Sequence, residues 1–599
     1  MNKKHVSNRI FSIVVVVTLA VYVIYLWLWV NPSLYLIKEY REFFTDTGFL
    51  KEFIDFPGEP VIYLSRLFIQ FFNYPFVSSL MIFFCLIAVY FLLVKTLKRE
   101  KNDCLISFIP VFILLLMHND YGHSIGFDIH ILFLCAALFF FTVSLVYHRA
   151  FMYLCFSFLL AIILYLNGLL TALTFTVTAM IILGLKKKTA LSILWTTIVS
   201  FTVFILFYVF FSLSFRDLKQ EFDDIIRIYS FRYYPLLLFT SVAILPLLNV
   251  FVPASYKMSI KKAIGTGLFT PAVFFILYFT SDKEERQNLQ VQHYARNEDW
   301  ETTLKIARNC EYPDKNTVYY TNLALYHTGK MCDELFFYNQ SFGSEGLLLA
   351  EMGAYSEIVP NQEIFLQLGA LSLSIIWGTE ATNVYGYNPY VLRLLTKAYL
   401  AGGYIREANK ILNLSERTIF REEWVKKYRA IANDTSLMRL DPELNRLYHA
   451  KTPLAVVSKQ SPLTNLYLLS RDSNLNKMAY DYMLVGTLLD HQIENFTFCI
   501  SRLKEFGYEK IPKLYMEGLV YSALYSSSLP LDVRDFKYDE SIILRFYAFQ
   551  SELIMLQHKP LEAKEILKTK FGDTYWYYLI FESQLNDSER MNIFNQMAS

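Results

Sequence analysis

Residues 118–130 read HNDYGHSIGFDIH, three histidines and two aspartates in a stretch with an apolar run on either side. Ionisable side chains at membrane depth cost roughly 3 kcal/mol each and face a partner or a water-filled space. An aspartate beside a histidine can act as a general base, hold a divalent cation, or simply pair. Asp120 is therefore a candidate acid–base group, and His118, His123 and Asp128 are candidates for holding substrate. Their spacing lacks the i, i+4 regularity of a metal site borne on one helix, and Gly122 and Gly126 predict a loop. In the competing reading the cluster caps two helices at the water interface, with Asp128 complementing the dipole of the helix that follows.

A second group of acids lies upstream: Glu39, Glu42, Asp46, Asp55 and Glu59. Glu39, Glu42 and Asp46 join Asp120 as catalytic candidates, although each taken singly also fits a solvated helix face. The chain has no phosphate-binding glycine loop, zincin pattern, nucleophile elbow or paired-cysteine zinc site. Any cofactor is left undefined beyond a divalent cation that the 118–130 cluster could hold. Net charge is only +2. No basic stripe interleaved with aromatics suggests nucleic acid.

The elements that must position these groups are apolar helices. Mean hydropathy over the 599 residues is +0.31, an average over two different halves. Up to about residue 280 the chain is a series of apolar runs; beyond it charges recur every few residues. Nine runs approach the ~20 residues a span needs: 10–30, 76–94, 104–117, 129–147, 151–166, 169–185, 190–213, 235–252 and 264–280. The third is short, and its helix is expected to continue into 118–123. Asn167-Gly168 makes a tight turn between the fifth and sixth. The first run ends in LWLWVNP without a small-residue cleavage site, so it reads as an uncleaved anchor.

Lysine and arginine in short loops set orientation. They cluster at Lys3, Lys4 and Arg9, at 95–101, at Arg149, at 186–188 and at 257–262, all on one side of a nine-span chain. The N-terminus is then cytoplasmic. Residues 1–280 form a transmembrane domain with extracytoplasmic loops 31–75, 118–128 and 214–234; residues 281–599 form an extracytoplasmic domain. Within the first loop, SLYLIKEYREFF and EPVIYLSRLFIQFF read as amphipathic helices lying on the outer leaflet. Of seven cysteines, Cys310 and Cys332 could pair in an oxidising compartment.

Residues 281–599 show helical periodicity and almost no strand alternation. The clearest unit is YVLRLLTKAYLAGGYIREANKILNLSE from Tyr390, with Leu392, Leu395 and Tyr399 on one helix face, Gly402-Gly403 at the turn, and Ala408 and Leu412 facing back. A second is ILRFYAFQSELIMLQHKPLEAKEILKTKFG, with Tyr547, Ser551, Ile554, Ala563 and Leu567 at similar offsets. Weaker echoes begin at Trp300, Asn322 and Tyr480. The expectation is an all-α chain: a polytopic transmembrane bundle of about nine spans, then a degenerate tetratricopeptide-like helical-repeat domain offering a surface to a protein or peptide.

The stretches FPGEPVIYLSRLFIQFFNYP (56–75), NLALYHTGKM (322–331) and IPKLYMEGLVY (511–521) carry a resemblance to a family of uncharacterised bacterial multi-spanning membrane proteins. That resemblance brings no activity. The topology also resembles C-type membrane glycosyltransferases, which place one acidic residue and amphipathic helices after span one, a second acidic motif after span three, and a soluble domain outside. The resemblance implies a lipid-linked sugar as substrate, with Glu39, Glu42 or Asp46 as first acid and Asp120 or Asp128 as second. The first loop has no Asp-x-Asp or Asp-Asp pair, so the likeness covers topology and not motif. Two functions follow as expectations. One is a membrane-anchored interaction protein of cell-envelope or surface-glycan assembly; the other is a glycosyltransferase using a polyprenyl-phosphate sugar.

Overall fold

The structure, a computed structural model, describes residues 3–39, 41–97, 106–147, 149–186, 190–211, 233–251, 260–348, 355–450, 462–471, 476–524, 536–556 and 559–598. Every named element among them is a helix. The 214–234 loop lies outside the described residues except for its last two, as do parts of the basic segments 95–101, 186–188 and 257–262. The chain divides into two units, Met1–Lys283 with Arg417–Phe420, and Glu284–Glu416 with Arg421–Ser599.

In the first unit, five helices are long and apolar enough to cross a membrane: Phe11–Val30, Pro75–Leu97, Gly126–Ser144, Arg149–Asn167 and Ser192–Val209. Four shorter apolar helices, Phe108–Met117, Leu169–Leu185, Tyr234–Val250 and Leu268–Thr280, occupy the remaining expected positions. The first helix shows how one sequence serves two surroundings. Val15, Leu19, Tyr22 and Leu26 recur at helical spacing and are buried, while Ile13, Val17, Ile24 and Leu28 form an exposed apolar stripe. Exposed aliphatic side chains in such a row are stable against lipid, where backbone polar groups are satisfied within the helix.

Three local features differ from the sequence reading. The third apolar helix stops at Met117 and does not run on to His123. Tight turns replace it, with Asn119 N–H donating to Leu116 O (3.1 Å), Asp120 N–H to Met117 O (3.1 Å) and His123 N–H to Asp120 O (2.9 Å). In the first loop the helix expected across SLYLIKEYREFF is only Tyr35–Glu39. The chain then extends so that Phe43 and Phe44 join Phe49, Phe53 and Tyr63 in an aromatic cluster. Glu59–Ile69 does form, with Pro60 in its first turn. It is tied to the fifth apolar run where Gly58 N–H donates to Tyr165 O (2.8 Å). Beside it, Gly168 makes the tight turn at φ +80°, ψ −170°, a region essentially restricted to glycine.

The second unit is built from helix pairs joined by one recurring turn. A residue in the left-handed conformation closes the leading helix at Glu298, Gly329, Gly369, Gly403 and His491. At each, the amide after it reaches back five residues: Asp299 to Tyr294 O (3.0 Å), Lys330 to Leu325 O (2.9 Å), Ala370 to Phe365 O (2.9 Å), Tyr404 to Tyr399 O (2.8 Å) and Gln492 to Thr487 O (2.7 Å). This is the Schellman closure, which satisfies the orphan carbonyls of the last turn. The first four turns follow one another at intervals of about 30 to 40 residues, the period of paired-helix repeats. In the clearest pair, Pro389–Gly402 and Ile405–Ser415, small Ala398, Ala401 and Ala408 are fully buried with Leu412.

The pair at the chain's end corrects the expected face. On Ser541–Leu556 the buried side is Ile542, Phe546, Phe549 and Leu553, whereas Tyr547, Ser551 and Ile554 point outward; Ala563 and Leu567 are buried as expected. Apolar residues surround this helix nearly all round, so periodicity could not choose between two sides. In helix Lys477–Leu489 every residue from Met478 to Leu489 is buried, the state expected of a helix enclosed by the rest of its unit. Cys310 and Cys332 are free thiols.

Candidate functional site

The turn that ends the Phe108–Met117 helix folds back toward the start of Gly126–Ser144. His118 is the C-cap of the first helix, and Asp128 lies in the first turn of the second. This brings together residues that no single helix could. His118 Nε2 is 3.2 Å and His123 Nε2 is 2.7 Å from the same oxygen, Asp128 Oδ2. The two imidazole rings stand at 89° with centroids 4.5 Å apart. All three side chains are buried, Asp128 completely. The three side chains face one another inside the first unit, and Asp128 occupies the expected first turn.

Other helices of the first unit hold the turn in place. Tyr22, fully buried in the first helix, puts its Oη 3.2 Å from His118 Nδ1, and its hydroxyl donates to Leu115 O (3.4 Å). Tyr22 thereby anchors the far nitrogen of the ring whose Nε2 faces Asp128. Tyr35 donates to the His118 carbonyl, and Tyr121 donates to Val30 O (2.9 Å). Asn119 donates to Leu277 O (2.7 Å) and to Thr280 Oγ1 (3.0 Å), and accepts from Tyr25 (3.0 Å). Burial and the adjacent His118 ring hold His123 below the ordinary histidine range, against the pull of Asp128. The neutral imidazole is the form that ligates metals.

The other sequence candidates have separate placements. Asp120 turns its Oδ1 onto the Gly122 amide (2.8 Å), closing the loop between the histidines. Asp46 caps Thr47–Ile54 by accepting from Phe49 N–H (3.0 Å) and is ion-paired with Arg417, whose Nε donates to Oδ2 at 3.1 Å. Those two donors hold its carboxyl below the usual range. Glu42 is buried, Asp55 is exposed at the end of the same helix, and Glu59 is half-buried, where desolvation pushes its carboxyl up. The side chain of Glu39 lies outside the described residues. Among the described residues, His118, His123 and Asp128 are brought together with ligand atoms within 4.8 Å of one another, and no first-loop carboxylate joins them.

Sequence reasoning missed Tyr22, Tyr35 and Asn119 as the frame of the site. A tyrosine hydroxyl inside an otherwise aliphatic span must find a partner, and Tyr22 and Tyr25 stand out in VVVVTLAVYVIYLW by that criterion. Against known proteins, the family of unknown function DUF6057 matches residues 5–582. No curated protein and no solved structure matches the chain.

Proposed function

Since the chain belongs to the DUF6057 family, which brings no activity, its own residues must carry the reading. We propose that it is a bacterial inner-membrane protein of about nine spans whose second unit is an extracytoplasmic, tetratricopeptide-like interaction module serving cell-envelope or surface-glycan assembly. The nine spans are the five long apolar helices and the four shorter ones. The N-terminus is then cytoplasmic, with residues 281–599 outside. The recurring Schellman turn supports the repeat reading.

The observation that carries the interaction reading is an apolar ridge on helix Ser541–Leu556. Leu544, Tyr547 and Met555 share its outer side and are 70, 59 and 81 % exposed. Ion pairs flank it, Arg545 with Asp573 and Glu552 with Lys570. An exposed apolar patch with a polar border is the usual mark of a protein-binding surface. A photocrosslinker at Ala548, in the middle of the ridge, is expected to trap a discrete envelope partner in native membranes. Leu544→Glu together with Met555→Glu should abolish the adduct while leaving the melting temperature within a few degrees. The absence of any adduct from Ala548 would remove the support for this surface.

The second reading is a glycosyltransferase using a polyprenyl-phosphate sugar, with a lipid-linked substrate met at the membrane unit. It is favoured by the buried His118–His123–Asp128 group, which a bare anchor does not need. In that reading the group holds the donor phosphate through a cation or a protonated histidine, and an acid among Glu39, Glu42, Asp46 and Asp120 activates the acceptor hydroxyl. Asp128→Asn is expected to abolish a surface glycan without loss of membrane insertion. Unchanged glycan in a normally inserted variant would sink this reading.

A further inference from the structure

We propose that His118, His123 and Asp128 form a binding site for a divalent transition-metal ion, with zinc as the ion the ligand types favour. The inference rests on neither functional reading above. Its first support is convergence: both Nε2 atoms approach one carboxylate oxygen, at 3.2 and 2.7 Å. Ligand atoms each about 2.1 Å from a tetrahedral ion stand about 3.4 Å apart. The observed set lies within 4.8 Å, so modest rotation of the rings closes it on an ion.

The second support is independent of that convergence. The other carboxylate oxygen, Asp128 Oδ1, is buried and has no hydrogen-bond partner among the described residues. A buried, unsatisfied carboxylate oxygen is costly and calls for an occupant. If protons alone joined the three side chains, Oδ2 would accept twice and Oδ1 would still have nothing. A cation seated against the carboxylate binds both oxygens, or binds one and offers a coordinated water to the other.

The third support is the outer partner of His118. Its Nδ1 is paired with Tyr22, which in turn is bonded to Leu115 O. That chain anchors the ring at its far nitrogen and leaves Nε2 facing Asp128 Oδ2. Hydrogen bonding at the far nitrogen is the usual device for orienting a ligating histidine. Two imidazoles and one carboxylate suit zinc, iron, manganese or cobalt over magnesium or calcium. Three protein ligands leave a coordination position for water or substrate, as catalytic sites do and closed structural sites do not.

The test uses the full chain purified in detergent, stripped with a chelator and titrated with Co²⁺, followed by Zn²⁺ displacement and metal analysis. The expected result is a visible d–d absorption that saturates at about one equivalent and disappears as zinc enters, as for a site with three protein ligands. Tyr22→Phe is expected to weaken Co²⁺ about 10-fold, the low end for loss of an outer partner; His118→Ala and His123→Ala should weaken it further. A wild-type chain with no cobalt band and no stoichiometric metal would overturn the proposal. So would folded histidine variants that bind as the wild type does. Should the histidine variants fail to fold, the wild-type spectrum and Tyr22→Phe decide.

Discussion

Gly369→Ala is expected to destabilise the second unit by roughly 3 kcal/mol or more, combining strain in the left-handed region with a steric clash. Gly369 has φ +72°, and a Cβ there would stand 2.5 Å from the Ala450 carbonyl oxygen and 2.8 Å from its carbon. Both are backbone atoms that no rotamer change can move. Gly329 and Gly403 occupy the same place in their own turns at φ +70° and +81°, yet nothing lies within 4 Å of a Cβ at either. Alanine at those positions should cost only the conformational strain, about 1–2 kcal/mol. Thermal unfolding of the three variants would therefore rank Gly369→Ala well below the other two. Equal losses at all three would mean that the close approach to Ala450 is not part of the folded chain.

Glu517→Gln is expected to stabilise the second unit at neutral and higher pH and to remove a fall in stability between about pH 6.5 and 8.5. Glu517 is 1 % exposed. Desolvation pushes its carboxyl up to about 8, partly opposed by Lys513 and by the Tyr575 amide. Lys513 stands 3.9 Å from Glu517 but 2.8 Å from Asp573, so its charge serves mainly the latter. A carboxyl whose pKa is raised on folding binds its proton more tightly in the native state. Its contribution is complete below about pH 4.5 and is lost as pH rises through about 8. A shift of that size corresponds to roughly 3–5 kcal/mol as an upper bound. Glutamine imitates the protonated form and keeps an oxygen for the Tyr575 amide, which donates to Glu517 Oε2 at 2.8 Å. Asp481, raised to about 6, loses its contribution below this window, so the two groups separate. A slope that survives in Glu517→Gln, read from melting temperatures at pH 6.5 and 8.5, would assign it elsewhere.

The sequence was most legible where one physical rule acts alone. Run length and composition placed the apolar helices, and Asn167-Gly168 and Gly402-Gly403 marked turns that need glycine's freedom. It was less legible where tertiary context chooses. Glu298 and His491 make the same turn as Gly329 and Gly403 with side chains that normally avoid positive φ, so two of these five turns carry no glycine signal. Leu544, Tyr547 and Met555 cannot be told from core residues by hydropathy. In the site, the sequence sets Asp120 apart as an acid–base candidate and groups Asp128 with the two histidines, but supplies no geometry that joins them. The turn does so, bending Asp120 onto the Gly122 amide and bringing Asp128 under both rings. Spacings of five residues on either side of His123 suit no regular helix, and only a fold-back between two spans converts them into one site.

The outward placement of residues 281–599 is the premise on which the interaction reading stands, and parity of spans determines it. The direct measurement is a pair of fusions after Ser599, one to alkaline phosphatase, which is active only outside the cytoplasm, and one to green fluorescent protein, which in this use fluoresces only inside. Nine spans with a cytoplasmic N-terminus predict an active phosphatase and a dark fluorescent fusion. A fluorescent fusion with an inactive phosphatase would place the second unit in the cytosol and contradict the account.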